Sequence, residues 1–107
     1  MSVLLSRSAA ADLEAIDGYT IEHFGLQQAI QTTAEFERTF RHLSDLPYSA
    51  PIVETISSPG RPLRCRTILG SFVIVYEPHG DGIRVARVLH GARHLLAELN
   101  RDSGEEV

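Results

Sequence analysis

Three side chains that could bind or process a phosphate fall within seven residues of one another: Arg87, His90 and Arg93. Arginine holds phosphate and carboxylate groups through paired hydrogen bonds, and histidine is the side chain that most readily moves a proton near neutral pH. A guanidinium does not deprotonate in proteins, so the arginines cannot serve as proton shuttles. The stretch therefore predicts an anion-binding surface or, with His90 as the titrating group, metal-free cleavage of RNA. A strand-to-helix turn with solvated arginines fits the same residues.

These side chains belong to a basic block in a chain whose net charge is −4. All ten basic residues are arginine. Residues 59–94 carry six of them against two acids, whereas residues 1–58 carry three against eight acids. The basic block could contact nucleic acid or an acidic protein, although a salt-balanced surface would give the same counts.

Several classes of protein are disfavoured by what the sequence lacks. The single cysteine, Cys65, excludes an internal disulfide and lies among strand residues, where a buried thiol is expected. The histidines and acids do not have the spacing of a zinc site, and no glycine-rich phosphate loop is present. No apolar run is long enough to span a membrane, and no signal peptide is evident. We expect one cytoplasmic domain over residues 1–107, with no cofactor and no metal.

Three strands must position the basic block. The pattern predicts them over 63–69, 72–77 and 83–89, joined by a Gly70-Ser71 turn and by a hairpin loop over 78–82. Connections this short make the three strands antiparallel neighbours. The second strand is an unbroken apolar run, which indicates a central strand buried on both faces.

The first half of the chain predicts a short strand over 3–5 and two helices. The first helix covers 9–24 and ends before Gly25, and the second ends before Pro47. Two helices with so short a connection run antiparallel as a hairpin, and we expect their apolar stripes to face the core. The stripes are Leu13, Ile16, Thr20 and Phe24 in the first helix, and Ala29, Thr33, Phe36, Phe40 and Leu43 in the second.

A last short helix over 92–100 and a frayed tail over 102–107 complete the prediction. The order β-α-α-β-β-β-α predicts an α+β fold, in which the N-terminal helical hairpin packs on one face of a small antiparallel sheet. The other face would be at least partly open. Arg64 and Arg66 share one side of their strand, so we expect them at that open face or at the rim.

Arg84 and Arg87 lie three residues apart on the last strand, so we expect them to face opposite ways unless a bulge intervenes. The sequence does not say which of the two is outward. An internal salt bridge between Arg87 and an acid of the helical hairpin is an alternative to a surface role.

Three stretches carry a resemblance to a known family. They are residues 11–16 with Tyr19, residues 72–76, and above all residues 83–93, which read IRVARVLHGAR. With the element order, they make the chain over about residues 2–100 resemble the RelE/ParE superfamily of bacterial type II toxins, and it looks most like the ParE branch.

The ParE resemblance implies a toxin that binds DNA gyrase, blocks supercoiling and stops replication, without being an enzyme. It also implies a cognate antitoxin protein that wraps the toxin, and contact with DNA only through that antitoxin. An inhibitor of this kind needs a binding surface and no catalytic set. The candidate partner-binding residues are Arg64, Arg66, Arg87, His90 and Arg93.

The alternative is a ribosome-dependent mRNA endonuclease of RelE type, with His90, Arg93, Arg66 and Arg64 as its catalytic residues. Arg93 matches the arginine of the glycine-x-arginine turn in that branch. The tyrosine of the branch's final helix has no counterpart in residues 95–101, and the chain contains no lysine. Both departures favour gyrase inhibition over RNA cleavage.

Overall fold

A computed structural model describes residues 2–91 of the chain. The predicted last helix over 92–100 and the tail over 102–107 lie outside these residues. The described elements are β1 (Val3–Leu5), α1 (Arg7–Phe24), α2 (Leu26–Asp45), a 3-10 turn (Glu54–Ile56), β2 (Arg64–Ile68), β3 (Phe72–His79) and β4 (Gly82–His90). Two helices and a sheet confirm the predicted α+β class.

Both helices of the hairpin end where the sequence predicts, but α1 begins at Arg7, two residues before the predicted start. Ser6 caps α1, because its hydroxyl accepts a hydrogen bond from the Ala9 amide at 3.0 Å and donates one to the Ala86 carbonyl at 2.6 Å. Gly25 separates α1 from α2 with φ +90°, a backbone conformation that favours glycine. Within residues 2–91, neither helix is long and apolar enough to cross a membrane.

The sheet has four strands in the order β1-β4-β3-β2. β2, β3 and β4 are antiparallel neighbours, as predicted, and β3 is central. The short β1 adds a parallel edge strand, pairing Val3 with Ile83 and Leu5 with Val85. A Cβ atom on Gly82 would lie 1.8 Å from the Ser2 carbonyl oxygen, so the approach of the chain before β1 requires a glycine there.

The hairpin between β3 and β4 is tighter than the predicted loop over 78–82. Pro78 pairs with Ile83 and His79 with Gly82, so both strands continue to a two-residue turn. The prediction was wrong at this point because proline usually marks the end of a strand or an edge position.

Apolar side chains are buried on both faces of the sheet. The larger cluster lies between the sheet and the helical hairpin and includes Phe36, Leu43, Ile74, Tyr76 and Val85. On the opposite face Val73, Val75 and Leu89 are also buried, with Ile56 and Leu63 packed against them. The segment before β2 therefore folds back over this face, so the face predicted to be open has a packed centre.

Arg64 and Arg66 lie on the same face of the sheet as the helical hairpin. Arg64 pairs with Tyr76 and Arg66 with Ile74, and the side chains of both partners belong to the hairpin-side core. Paired residues of antiparallel strands point to the same side. The two arginines are thus at the rim, on edge strand β2, and their assignment to the opposite face is excluded.

A bulge in β4 changes where its arginines point. Arg87 pairs with Val75, but Val85 pairs with Tyr76, which leaves Ala86 as an extra residue. Arg84 pairs with Glu77. Val75 and Glu77 are two residues apart on β3, so Arg84 and Arg87 share one face of the sheet. Because the bulge intervenes, the two arginines do not face opposite ways, as they would in a regular strand.

Two residues of the predicted stripes are not core. Phe24, at the end of α1, has 67% of its surface exposed, and Thr33 on α2 is also exposed. The aromatic rings that Phe24 meets within residues 2–91 are those of Tyr19 and His23, both on its own helix, and on α2 the buried threonine is Thr32, one position before the predicted Thr33. The periodicity therefore identified the core-facing side of each helix only approximately.

Candidate functional site

His90, the last residue of β4, lies among aromatic rings. Its imidazole stacks on the Phe72 ring, with centroids 4.7 Å apart and planes inclined by 25°. The Tyr19 ring meets it edge-on at 6.1 Å. The strand register causes this arrangement, because Phe72 is the cross-strand partner of His90, and Tyr19 approaches from α1.

The aromatic contacts continue along α1. Tyr19 lies 4.2 Å from the ring of His23 and 6.5 Å from that of Phe24. We call Tyr19, His23, Phe24, Phe72 and His90 the ring cluster. It adjoins an open cavity of about 500 Å³, to which Gln28, Thr32, Leu69 and Ser71 also contribute.

The ring cluster is accessible to a partner. Tyr19 and Phe24 expose 48% and 67% of their surfaces, and neighbouring Leu69 exposes 53%. Exposed aromatic and aliphatic side chains around one cavity are typical of a protein-binding surface. Of the ring cluster, the sequence predicted only His90 as a site residue; Tyr19 was named only for the family resemblance, and Phe24 was expected in the core. The exposed Phe24 and the half-buried Phe72 were missed; the signal was the aromatic spacing of Tyr19, His23 and Phe24 at one end of α1.

Arg64 is held by the backbone of the loop before β2. Its Nη1 donates to the Ala50 carbonyl at 2.6 Å and to the Tyr48 carbonyl at 3.4 Å. The guanidinium also lies 5.0 Å from the centre of the Tyr48 ring, a cation–π distance. Its Nε is buried without a hydrogen bond from residues 2–91. Arg64 therefore anchors the loop, and only part of its guanidinium is available to a ligand.

The structure does not bring Arg64 and His90 together. They lie at opposite ends of the hairpin-side face and two strands apart, so strand spacings place their Cα atoms roughly 17 Å apart. Arg66 is closer, at roughly 12 Å from His90 by the same spacings. Arg66 is exposed, and no other residue of the described chain forms an ion pair or hydrogen bond with it.

Arg87 is an internal residue. Its Nε and Nη2 donate to the two carboxylate oxygens of Asp12 at 2.7 and 2.9 Å. The Val88 amide donates to the same carboxylate at 2.9 Å. The side chains of Arg87 and Asp12 are only 11% and 15% exposed. The structure thus places Arg87 in the salt bridge to a hairpin acid that the sequence analysis gave as the alternative to a surface role.

Arg93, the remaining candidate, lies outside residues 2–91, as does His94. Arg61, which the sequence analysis did not single out, pairs with Glu77 at 2.9 Å beside β2. Within the described residues, no group of three or more histidines, cysteines or acids is placed to hold a metal ion.

The half-buried Cys65 and the buried Tyr76 have pKa values above their usual range. Burial raises the pKa of the Cys65 thiol from 9.0 to about 11, which makes it a poor nucleophile. Burial also raises the pKa of Tyr76, whose hydroxyl donates to the Pro47 carbonyl at 3.0 Å. Neither residue lies in the ring cluster.

Comparison with known proteins agrees with this architecture. Residues 3–95 match the family model described as "ParE toxin of type II toxin-antitoxin system, parDE". The chain is 32% identical over 95 residues to Toxin ParE1 of Caulobacter vibrioides, covering 89% of this chain and 94% of that protein. A solved chain from the chromosomal ParDE toxin–antitoxin system of P. aeruginosa has the same fold, with a TM-score of 0.67 at 24% identity, covering 85% of this chain and 96% of that one.

The family match and the curated relative, together with the shared α+β fold, identify a small toxin of the RelE/ParE superfamily. The chain belongs to the ParE toxin family of type II toxin–antitoxin systems.

Proposed function

We propose that this ParE-family toxin arrests growth by binding DNA gyrase and blocking supercoiling, and that it catalyses no reaction of its own. Gyrase is the target that the ParE resemblance implies. The observation that carries the non-catalytic part of the proposal is the location of His90. Its imidazole packs in the ring cluster, while Arg64, which would have to hold phosphate beside it, is bonded to backbone carbonyls at the other end of the sheet.

The ring cluster and Arg66 form the proposed contact with gyrase. Tyrosine, tryptophan and arginine are enriched among the residues that contribute most binding energy at protein interfaces, and aromatic side chains bury large areas there. Phe24 and Tyr19 are exposed beside the cavity, and Arg66 lies on the same sheet face. Because Arg87 is bonded to Asp12, it supports the fold under this surface and is not part of the contact.

A cognate antitoxin is the second proposed partner. An acidic segment that is disordered when free could fold on the basic rim formed by Arg61, Arg64 and Arg66, with apolar anchors in the ring cluster. Such a segment would compete with gyrase for the same side chains, which explains neutralisation. The toxin would reach DNA only through the antitoxin, and both proteins would act in the cytoplasm, where gyrase works.

The experiment is a supercoiling assay with relaxed plasmid, purified gyrase and increasing amounts of toxin. We expect supercoiling to fall and cleaved DNA to accumulate. Supercoiling that is unchanged at a large excess of folded toxin contradicts the proposal. Adding the antitoxin before gyrase should restore supercoiling.

Three variants separate binding from catalysis in this assay. His90→Ala removes the imidazole but leaves the neighbouring rings, so inhibition should fall by less than about tenfold, as for one contact among several. Arg66→Glu reverses an exposed charge and should weaken inhibition more strongly. Arg41→Glu is the matched control, because Arg41 is exposed on α2 away from the ring cluster, and it should inhibit like the unmodified chain.

The same variants test the RNA-cleaving alternative. A proton-transfer residue contributes about 100- to 10,000-fold to a rate, so complete loss of toxicity in folded His90→Ala would favour catalysis. Codon-linked cuts in cellular mRNA after toxin induction would do the same. Intact transcripts during growth arrest are the expected result.

A further inference from the structure

A second cavity lies between the two helices and β1, remote from the basic rim. It has a volume of about 220 Å³. Its walls are apolar, formed chiefly by Leu13, Ile16, Phe36 and Phe40, and Leu5 of β1 contributes to one side. We call it the hairpin slot.

The size of the hairpin slot limits what can enter it. An apolar cavity of about 150 Å³ accepts a benzene ring, whereas sites for drug-sized ligands begin at about 300 Å³. The slot therefore matches one aromatic or one large aliphatic side chain and is too small for a nucleotide-like cofactor. A side chain of this kind would be presented by a segment of protein.

The rim of the hairpin slot is acidic. Asp17 of α1 and Glu37 of α2 both line it, and both are exposed. Neither carboxylate forms an ion pair or hydrogen bond with any residue in the described range 2–91. Two unpaired carboxylates on opposite sides of an apolar cavity favour a ligand that places a cation beside its apolar anchor.

β1 extends the same apolar surface to the edge of the sheet. Val3 and Leu5 pair with the hairpin-side core residues Ile83 and Val85, are each 39% exposed, and belong to a strand that has a strand neighbour on one side only within the described sheet. An edge strand with exposed apolar side chains can pair with an extended peptide. A segment added along β1 would pass Leu5 and so could place a side chain in the slot.

We infer that the hairpin slot is a docking site for an extended segment of another protein, in which an aromatic or large aliphatic anchor is flanked by arginine or lysine. Its charge preference is opposite to that of the basic rim, where an acidic segment is proposed to bind. The two surfaces would therefore select different segments. This inference concerns a separate site and does not depend on gyrase being the target.

The test is selection of random twelve-residue peptides, displayed on phage, against the purified full-length chain. Selected peptides should contain an apolar anchor with neighbouring basic residues, and synthetic copies should bind in fluorescence anisotropy. The variant Asp17→Arg/Glu37→Arg should bind them about tenfold more weakly, as expected for losing two attractive contacts and gaining repulsion. Ile16→Lys, which places a charge in the slot wall, should abolish binding.

A matched control carries the same change in net charge on α1. Glu14 and Glu22 are exposed on this helix and do not line the slot, so Glu14→Arg/Glu22→Arg should bind the peptides within about twofold of the unmodified chain, since exposed charges away from a contact have little effect. Circular dichroism would confirm that each variant is folded.

Three results would overturn the inference. They are enrichment of no peptide, selection of peptides without basic residues, and equal weakening by the slot and control variants. A concentration-dependent dimer that Asp17→Arg/Glu37→Arg disrupts would also overturn it, because the slot would then belong to a second copy of the chain. Gyrase inhibition by Asp17→Arg/Glu37→Arg should be unchanged, which keeps this test independent of the proposed function.

Discussion

Asp12 and Arg87 form a two-pronged ion pair that joins the first helix to the last described strand. The carboxylate accepts from Nε at 2.7 Å and from Nη2 at 2.9 Å, and it accepts a third hydrogen bond from the Val88 amide. Beyond Val85, β1 no longer pairs with β4, so Asp12 satisfies a backbone donor on a strand edge that would otherwise lack a partner there. The Asp12 side chain thus links α1 both to the Arg87 guanidinium and to the backbone of β4.

Removing either member of this pair should destabilise the protein. We expect Asp12→Ala and Arg87→Ala each to lower the free energy of unfolding by about 2–4 kcal/mol, because each leaves a largely buried charge or donor without its partner. Urea denaturation followed by circular dichroism measures the loss. The exposed Arg41→Ala is the control and should change the stability by less than about 0.5 kcal/mol.

The double variant Asp12→Ala/Arg87→Ala shows whether the two effects are coupled. It should be more stable than the sum of the single losses predicts, because no uncompensated charge remains. Simple additivity of the two losses would mean that the residues stabilise the protein through separate contacts.

We expect substitution by alanine to have opposite effects on stability at Gly82 and at Gly18. A Cβ on Gly82 would lie 1.8 Å from the Ser2 carbonyl oxygen, which is backbone and cannot turn away. We expect Gly82→Ala to lower the free energy of unfolding by about 1–3 kcal/mol, the usual cost of overpacking. A Cβ on Gly18, in α1, would meet open space. Gly18→Ala should therefore raise the free energy of unfolding by about 0.5–1 kcal/mol.

Thermal unfolding of the two alanine variants, measured in parallel, checks this prediction. Equal stability of Gly82→Ala and the unmodified chain would mean that β1 approaches β4 less closely than the structure places it. A loss of stability in Gly18→Ala would contradict the assignment of an uninterrupted α1.

The position of the functional surface could be read from the sequence only in part. The apolar run of β3, the glycine between the helices and the motif over residues 83–93 were sufficient for the element order and the family resemblance. Alternation then placed Arg64 and Arg66 on one side of β2, but alternation cannot say which side faces the hairpin. That depends on register, which the sequence fixes only through long-range pairing.

The roles of the arginines could not be read from the sequence for a related reason. Arg64 and Arg87 look equivalent as cations in the basic block, yet one is held by the carbonyl of Ala50 and the other by Asp12. These partners are 14 and 75 residues away along the chain. Neither contact can be recognised from the residues next to the arginine in the sequence. The same is true of the bulge at Ala86, which sets the direction of Arg87.

Stability should fall at alkaline pH because of Cys65. Burial raises the pKa of its thiol from 9.0 to about 11 in the folded chain, so between these values the folded state binds more protons than the unfolded state. The free energy of unfolding is therefore at its full value below pH 9 and decreases as pH rises from 9 towards 11. Tyr76, whose pKa burial also raises above 10.0, adds a similar decrease at higher pH.

Urea titrations at intervals from pH 7 to 11 measure this dependence. Cys65→Ala should show a shallower decrease between pH 9 and 10 than the unmodified chain, whatever its stability at pH 7. Alkylation by iodoacetamide at pH 8 should also be about 10- to 100-fold slower in the folded chain than in urea, because the thiolate is the reacting form. Identical slopes in the two proteins would exclude Cys65 as the source.

Phe24 offers the sharpest separation of function from stability. With 67% of its surface exposed, it contributes little to the core, so Phe24→Ser should change the free energy of unfolding by less than about 0.5 kcal/mol. As a large ring in a binding surface, it should matter far more to the partner, and we expect gyrase inhibition to fall by at least about tenfold. Phe36→Ser is the contrasting variant, because Phe36 is 3% exposed and its loss should unfold the protein. Supercoiling assays and urea denaturation of both variants decide the matter: undiminished inhibition by Phe24→Ser would exclude the ring cluster from the gyrase contact.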